Sequence, residues 1–277
     1  MIRPSVIRRI LTTDLPVLLI VLLAMGPFAW MVLTSLTPSA QIAQSGVSLS
    51  PAGWGVDNYV RLMRQTSFAV NMGHSLIVAV GTVILGLTVS VTAAYAISRF
   101  RFAGRKAIML QFLLVNMFPV VLLILPLFIL MRRLGLLDTH LSLILANATV
   151  AIPFAVWMLT SYVGAIPKSL DEAAMIDGCS RLMALRRVVL PLAMPGIIST
   201  GIYIFITAWN EYLYALTLGG RNVRTVTVAI QTLIGEYQIE WGLLAAGAVV
   251  GAMPATLLFL IVQRRLIGGL TQGAVKG

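Results

Sequence analysis

The feature of this sequence that most limits its fold is a series of long apolar runs. Each has about the 20 residues that an α-helix needs to cross roughly 30 Å of hydrocarbon. The runs cover residues 15–33, 75–97, 107–130, 141–163, 196–216 and 243–262. Continuous runs favour helices, because the strands of a membrane barrel alternate apolar and polar residues over about ten positions. We therefore predict an all-α membrane protein with six transmembrane helices.

The composition agrees with lipid as the solvent of this chain. Hydrophobic residues make up 59% of the 277 residues, and charged residues only 10%. A net charge of +11 suggests nucleic-acid binding in a soluble protein. Here the basic residues lie in short clusters between the apolar runs, and they do not form one face or stripe. The sequence therefore favours the lipid membrane, and not nucleic acid, as the partner of these charges.

The distribution of basic residues predicts how the chain is oriented. Lys and Arg are enriched in the cytoplasmic loops of membrane proteins. Fourteen of the 20 basic residues lie on one side of a six-span arrangement, in the two termini and in the loops at 98–106 and 164–195. We expect both termini to be cytoplasmic and residues 1–277 to form a single transmembrane domain. The run at 15–33 is too long for a typical signal peptide, so we interpret it as a retained first span.

The predicted cytoplasmic loop at 164–195 contains the most informative motif, which reads KSLDEAAMIDGC. Ser169 and Glu172 have the spacing of an N-terminal capping box, and Gly178 lies where a left-handed C-cap is expected. Ala173 and Ala174 favour helix between them. These signals predict a short helix between two spans. Because so short a helix is marginal in water, we expect another protein to dock against its small-residue face. The same spacing also fits a helix that these residues merely cap and end.

The pattern from Glu172 to Gly178, followed by Leu190-Pro191, resembles the EAA loop of binding-protein-dependent ABC import permeases. It lies in the loop before the last two spans, where that family carries it. Two further segments are similar to features of the carbohydrate-importing, maltose-type group: Asp57-Asn58-Tyr59, and Trp209-Asn210-Glu211-Tyr212. One departure concerns the position where the family often has Phe, because this chain has Met183 or Leu185 nearby.

The resemblance implies a type I importer permease in the bacterial plasma (inner) membrane, with several partners. These are a second homologous permease, a dimer of ATPase subunits and an extracytoplasmic solute-binding protein. It also implies that the short helix docks in a cleft of the ATPase dimer. The residues expected at that contact are Glu172, Ala173, Ala174, Asp177, Gly178 and Arg181. Arg181 fits either a pair with acidic groups of the ATPase or ordinary positive-inside charge.

The chain lacks the sequence signature of a nucleotide-binding loop. Its three lysines are Lys106, Lys168 and Lys276, and none follows a G-x-x-x-x-G run. We therefore predict a transport subunit that is not an enzyme and binds no cofactor itself, with ATP and Mg bound by a partner subunit. His74 and His140 have neither metal-ligand spacing nor a third ligand, so we predict no metal site.

One acidic residue, Glu211, lies deep in a predicted span. An ionised side chain near the bilayer centre costs about 3 kcal/mol on insertion scales, so such a residue faces protein, water or a partner. Asn210 and Glu211 can hydrogen-bond to sugar hydroxyls. Tyr212, like Trp209 and Tyr214, can stack on a sugar ring. Asn210, Glu211 and Tyr212 are therefore candidates for the substrate path. They fit equally well an interfacial aromatic belt in which Glu211 fixes a helix contact.

The predicted function is the transmembrane subunit of an ATP-driven, binding-protein-dependent sugar importer. The resemblance implies a disaccharide such as trehalose or maltose, with glycerol phosphates as an alternative substrate class. A transporter driven by an ion gradient is the second hypothesis, although it normally needs more ionisable groups within the membrane than Glu211 alone. A membrane-embedded enzyme would need a converging set of acid, base or metal ligands, and no such grouping stands out in the sequence.

Overall fold

The computed structural model describes residues 10–235 and 239–274, with side chains from 12 to 235 and from 239 to 263. The orientation prediction depends partly on basic residues outside this part of the chain. These are Arg3, Arg8, Arg9 and Lys276, together with the side chains of Arg264 and Arg265. The cytoplasmic placement of the termini therefore stays a prediction.

The described residues form helices joined by short connections. In chain order these are α1 (Leu15–Leu36), α2 (Ser39–Ser45), α3 (Asp57–Gln65), α4 (Phe68–Arg99), α5 (Arg105–Asn116), α6 (Val120–Arg133), α7 (His140–Ala165), α8 (Lys168–Ile176), α9 (Arg181–Leu192), α10 (Met194–Trp209), α11 (Leu213–Leu218), α12 (Val226–Thr232) and α13 (Trp241–Ala274). The all-α prediction is confirmed.

Four of the described helices, α1, α4, α7 and α13, are long and apolar enough to cross a membrane. The number rises to six if each of two bent pairs counts as one span, namely α5 with α6 and α9 with α10. The predicted run at 107–130 falls on α5 and α6, which are bent by 99°. The bend lies at Pro119, which has no N–H to continue the helix and disfavours helical geometry at the residue before it.

Contacts between Cα atoms divide the chain into two compact units. Among the described residues, the first comprises 10–69, 230–235 and 239–252. Within it, Asn58 of α3 is buried and donates hydrogen bonds from Nδ2 to the carbonyl oxygens of Ser35 and Thr37, both at 2.9 Å. The Tyr59 hydroxyl lies 2.6 Å from Ser35 Oγ. The Asp57-Asn58-Tyr59 segment therefore ties α3 to the end of α1.

The second unit comprises the described residues 70–229 and 253–274, and α7 is its central helix. Helices α5, α6, α10 and α11 all pack against α7. Four of its buried residues are alanines, namely Ala146, Ala148, Ala151 and Ala155. Small residues let helix backbones approach closely in membrane proteins. Close approach is evident at Gly196 of α10, where an added Cβ would lie 2.3 Å from Tyr162 Cγ of α7.

Candidate functional site

The predicted short helix exists as α8, Lys168–Ile176, but its start differs from the prediction. Pro167 is the N-cap residue, and no side chain caps the helix. The capping box predicted for Ser169 and Glu172 is therefore wrong. Because the helix begins directly after the proline, Ser169 already lies in the first turn, where it does not occupy the N-cap position.

The C-terminal end of α8 confirms the prediction for Gly178. This glycine has φ = +87°, in the left-handed region. Its N–H donates to the carbonyl of Met175 at 3.1 Å, and the N–H of Cys179 donates to Ala174 at 3.0 Å. These two bonds form a Schellman motif, which satisfies the last carbonyls of a helix and stops it sharply. The loop therefore contains a short helix, α8, with a defined C-terminal end.

The structure separates the residues expected at the ATPase contact into two faces. Glu172, Ala173, Asp177, Gly178 and Arg181 are exposed. Ala174 is buried within this chain, so it is not part of the exposed surface and the two alanines do not share one small-residue face.

Exposed apolar side chains border this surface, and one of them, Ile176, was not singled out from the sequence. Ile176, at the last turn of α8, is 86% exposed. Of the two positions considered for the missing Phe, Met183 is exposed whereas Leu185 is in a buried apolar cluster. Large exposed apolar side chains rimmed by polar residues are typical of protein contact sites. Ile176 and Met183 therefore extend the candidate docking surface.

The inner side of the same loop is held by charges. Arg99, the last residue of α4, forms a buried ion pair with Asp171 in the first turn of α8. The guanidinium of Arg181 lies over the Phe100 ring, 4.9 Å from its centroid, so its observed contact is within this chain. Sequence reasoning did not identify Asp171 or Arg99 as partners, because 72 residues separate them.

The predicted run at 196–216 is interrupted at the candidate path residues. Asn210 is the C-cap of α10 and is exposed, while Glu211 and Tyr212 lie before α11. The Glu211 carboxylate accepts hydrogen bonds from the backbone N–H groups of Tyr214 at 2.8 Å and Ala215 at 3.0 Å. A carboxylate at the N-terminus of a helix accepts hydrogen bonds from unpaired N–H groups, and its negative charge interacts favourably with the positive end of the helix dipole. Glu211 therefore caps α11.

The aromatic residues near this break differ in accessibility. Trp209 is buried and stacks on Phe205, with ring centroids 5.6 Å apart and an interplanar angle of 10°. Tyr214 is fully buried as well. Tyr212 is half-buried. Of the three aromatic residues considered for sugar stacking, Tyr212 is thus the accessible one in this conformation.

A second polar anchor, at Asp138, was also missed by sequence reasoning. Its carboxylate accepts hydrogen bonds from the backbone N–H groups of Asn222 and Val223 and from the Asn222 side chain, at 2.9–3.1 Å. Burial alone raises the pKa of this carboxyl, but these hydrogen bonds and one from the Arg221 backbone outweigh it, so the pKa lies below its ordinary value. Asp138 joins the loop before α7 to the loop after α11.

The two histidines lie together near the starts of α4 and α7. His74 Nδ1 is 2.8 Å from His140 Nε2, so one ring donates a hydrogen bond to the other. Among the side chains at 12–235 and 239–263, no group of three or more His, Cys, Asp or Glu residues is arranged to hold a metal ion.

The family of this chain follows from comparisons with known proteins. Residues 86–271 match the model described as "Binding-protein-dependent transport system inner membrane component". The chain belongs to this family, as its resemblance predicted, and it is a multi-pass protein of the bacterial inner membrane.

Several relatives share most of their length with this chain. It is 37% identical to the sulfoquinovosyl glycerol transport system permease protein of Agrobacterium fabrum, over 91% of this chain and 88% of the relative. It is 37% identical to the trehalose transport system permease protein of Mycobacterium tuberculosis, over 94% and 95%. It is 34% identical to the trehalose/maltose transport system permease protein of Thermococcus litoralis, over 99% of both.

A solved structure supports the fold independently. It is the crystal structure of a bacterial ABC transporter involved in the import of the acidic polysaccharide alginate. The superposition has a TM-score of 0.79 and covers 95% of this chain and 98% of that chain, at 24% sequence identity. At this identity the likeness concerns the fold alone.

Proposed function

We propose that this chain is the transmembrane subunit of an ATP-driven sugar importer, and that α8 docks on the ATPase. The observation that carries the proposal is the division of α8 into two faces. Asp171 and Ala174 are buried within the chain, whereas Glu172, Ala173 and Ile176 are exposed. A marginal two-turn helix that is anchored on one face, and that exposes Ala173 and Ile176 beside Glu172 on the other, is suited to a partner surface.

The complex in this proposal contains a second homologous permease, two ATPase subunits and an extracytoplasmic solute-binding protein. The family description, which names a binding-protein-dependent system, supports the last of these. ATP and Mg bind to the ATPase subunits, because no lysine of this chain follows a phosphate-cradling glycine run. This chain then contributes half of the path and no catalysis.

The substrate class is a sugar of disaccharide size, such as trehalose or maltose. The names of the relatives from Mycobacterium tuberculosis and Thermococcus litoralis support this class. The sulfoquinovosyl glycerol relative is as similar as the first of these, so a small glycoside is a second candidate. Uptake assays on the reconstituted complex with each labelled sugar distinguish the two.

The substrate path in this proposal passes the break between α10 and α11. Irregular backbone at membrane depth is tolerated where it is buried in protein or lines a water-filled cavity. The Glu211 carboxylate holds the N-terminus of α11, so its role is to fix the break. Asn210 and Tyr212, which are exposed and half-buried, supply the groups that contact sugar.

The docking proposal is tested by purifying the tagged complex from its native host. Gly178→Asp places a side chain at a left-handed position, which costs about 1 kcal/mol, and adds charge to the docking surface. Gly104→Asp is the matched control, because Gly104 also has φ = +87° and also has no atom within 4 Å of an added Cβ. We expect wild type and Gly104→Asp to recover an ATPase and Gly178→Asp to lose it. Equal recovery by both variants refutes docking through α8.

A further inference from the structure

The buried ion pair on the inner side of α8 joins the docking helix to a membrane span. Arg99 Nε donates to Asp171 Oδ2, and the two side chains are only 5% and 6% exposed. Arg99 ends α4, whose run is long enough to cross the membrane. The contact is therefore a direct link between a span and the helix proposed to meet the ATPase.

The same guanidinium reaches a third helix. Arg99 Nη1 donates to the carbonyl oxygen of Val163, near the end of α7, at 3.1 Å. The neighbouring Ser98 hydroxyl donates to the carbonyl of Thr160, also in α7, at 3.3 Å. One arginine thus holds the ends of α4 and α7 and the start of α8 together.

A second contact attaches the segment after α8 to the end of α4. Arg181, the first residue of α9, lies over the Phe100 ring, which directly follows α4. Phe100 in turn packs edge-on against Tyr95 of α4, with centroids 6.4 Å apart. Tyr95, Val163 and Leu185 belong to one buried apolar cluster. The segments on both sides of the Gly178 cap are therefore attached to the end of α4.

A buried ion pair is weak evidence for stability, since apolar residues of similar volume often serve as well. The hydrogen bonds of this guanidinium have a fixed geometry, with Nε donating to Asp171 and Nη1 to the carbonyl of Val163. At this site the pair joins three helices, so it restricts how α8 can rotate or shift against α4 and α7.

We propose that Arg99 and Asp171 are positioning residues that make α8 move as one body with the ends of α4 and α7. The inference rests on the proposed docking of α8. The docking surface itself, with Glu172, Ala173 and Ile176, lies on the opposite face and does not involve the pair. Loss of the pair leaves docking in place but allows α8 to shift without moving the spans, so ATP hydrolysis becomes separated from import.

The test uses the complete complex in proteoliposomes, with saturating solute-binding protein and sugar. Arg99→Met/Asp171→Asn removes both charges, so no unpaired charge stays buried. Arg101→Met is the matched control, because it removes the same charge two residues away at an exposed position. We expect the double variant to retain the ATPase and its hydrolysis. We expect the sugar imported per ATP to fall about fivefold or more, a change as large as the weakest effects that coupled sites have on each other's affinity. The control keeps the wild-type ratio.

A wild-type ratio in the double variant overturns the inference and leaves the pair with a structural role only. If the double variant is not recovered from membranes, the same ratio of sugar imported to ATP hydrolysed is measured for Arg99→Lys. Lysine keeps the charge but lacks the planar fork that binds Asp171 and Val163 together. The inference predicts a lower ratio at unchanged complex recovery, and an unchanged ratio refutes it.

A separate measurement distinguishes failure of this inference from failure of the proposed function. Cys179, the only cysteine, directly follows the Gly178 cap and can carry a spin label. In the full chain in lipid bilayers, the label becomes more mobile in Arg99→Met/Asp171→Asn than in Arg101→Met. Equal mobility in the two variants contradicts the anchoring role. If wild type recovers no ATPase, the proposed function fails whatever the label reports.

Discussion

Replacement of Glu211 by Gln tests whether this carboxylate caps α11. Its two oxygens accept hydrogen bonds from two backbone N–H groups, those of Tyr214 and Ala215. Gln offers one acceptor oxygen, and its NH₂ group faces the other N–H. The change removes one capping bond, worth about 0.5–2 kcal/mol, and a charge near the helix N-terminus, worth about 0.3–1 kcal/mol. We expect a loss of about 1–3 kcal/mol in the stability of this region.

The assay compares the thermal stability of the purified complex with its sugar uptake. Glu240→Gln is the control, because it makes the same chemical change at the Arg61–Glu240 ion pair, whose side chains are 36% and 43% exposed. Such a pair is worth about 0–1 kcal/mol. We expect Glu211→Gln to be clearly less stable than Glu240→Gln. Wild-type stability with uptake abolished refutes the capping argument and indicates direct contact with substrate.

Three further substitutions test the packing and polar anchors. Asn58→Leu leaves two buried carbonyls without their donor, at a cost of about 1–3 kcal/mol each. It should lower the melting temperature more than Ser39→Ala, which removes only the hydrogen bond from Ser39 Oγ to Asn58 Oδ1 at 3.0 Å. Gly196→Ala forces a Cβ against Tyr162 and should cost about 1–3 kcal/mol, whereas Gly73→Ala, with nothing within 4 Å, should not destabilise. Because the folded-state pKa of Asp138 is lowered, its stabilisation is present above the unfolded-state pKa and lost as pH falls through the folded value. Asp138→Asn should therefore flatten the acid side of the pH–stability profile, and an unchanged profile contradicts this assignment.

Local signals in the sequence predicted the helical class and the end of α8. Apolar length alone indicates where helices cross a membrane, and Gly178 favours a left-handed cap because it lacks a Cβ. The capping-box prediction failed because the N-cap residue is Pro167, two residues before Ser169, so Ser169 lies inside the helix. Pro119 is of a residue type that can kink a helix, but the hydropathy of residues 107–130 is continuous across it, so apolar length predicted one span where the structure has two helices bent by 99°.

The contacts that organise the site were beyond sequence reasoning for a different reason. Arg99 and Asp171 are 72 residues apart, and Asp138 and Asn222 are 84 apart. Their pairing depends on which helix ends meet, and no local pattern determines that. The burial of Ala174 beside the exposed Ala173 likewise depends on tertiary packing. Spacing can place both residues on a helix, but it cannot show which face the rest of the chain covers.

The energy source of transport tests the central claim most directly. Sugar uptake is measured in proteoliposomes that contain either the complete complex or this chain alone. We predict uptake by the complex that requires ATP and the solute-binding protein. We predict no uptake by the chain alone under a proton or sodium gradient. Gradient-driven uptake by the isolated chain would contradict the account and establish a self-sufficient secondary transporter.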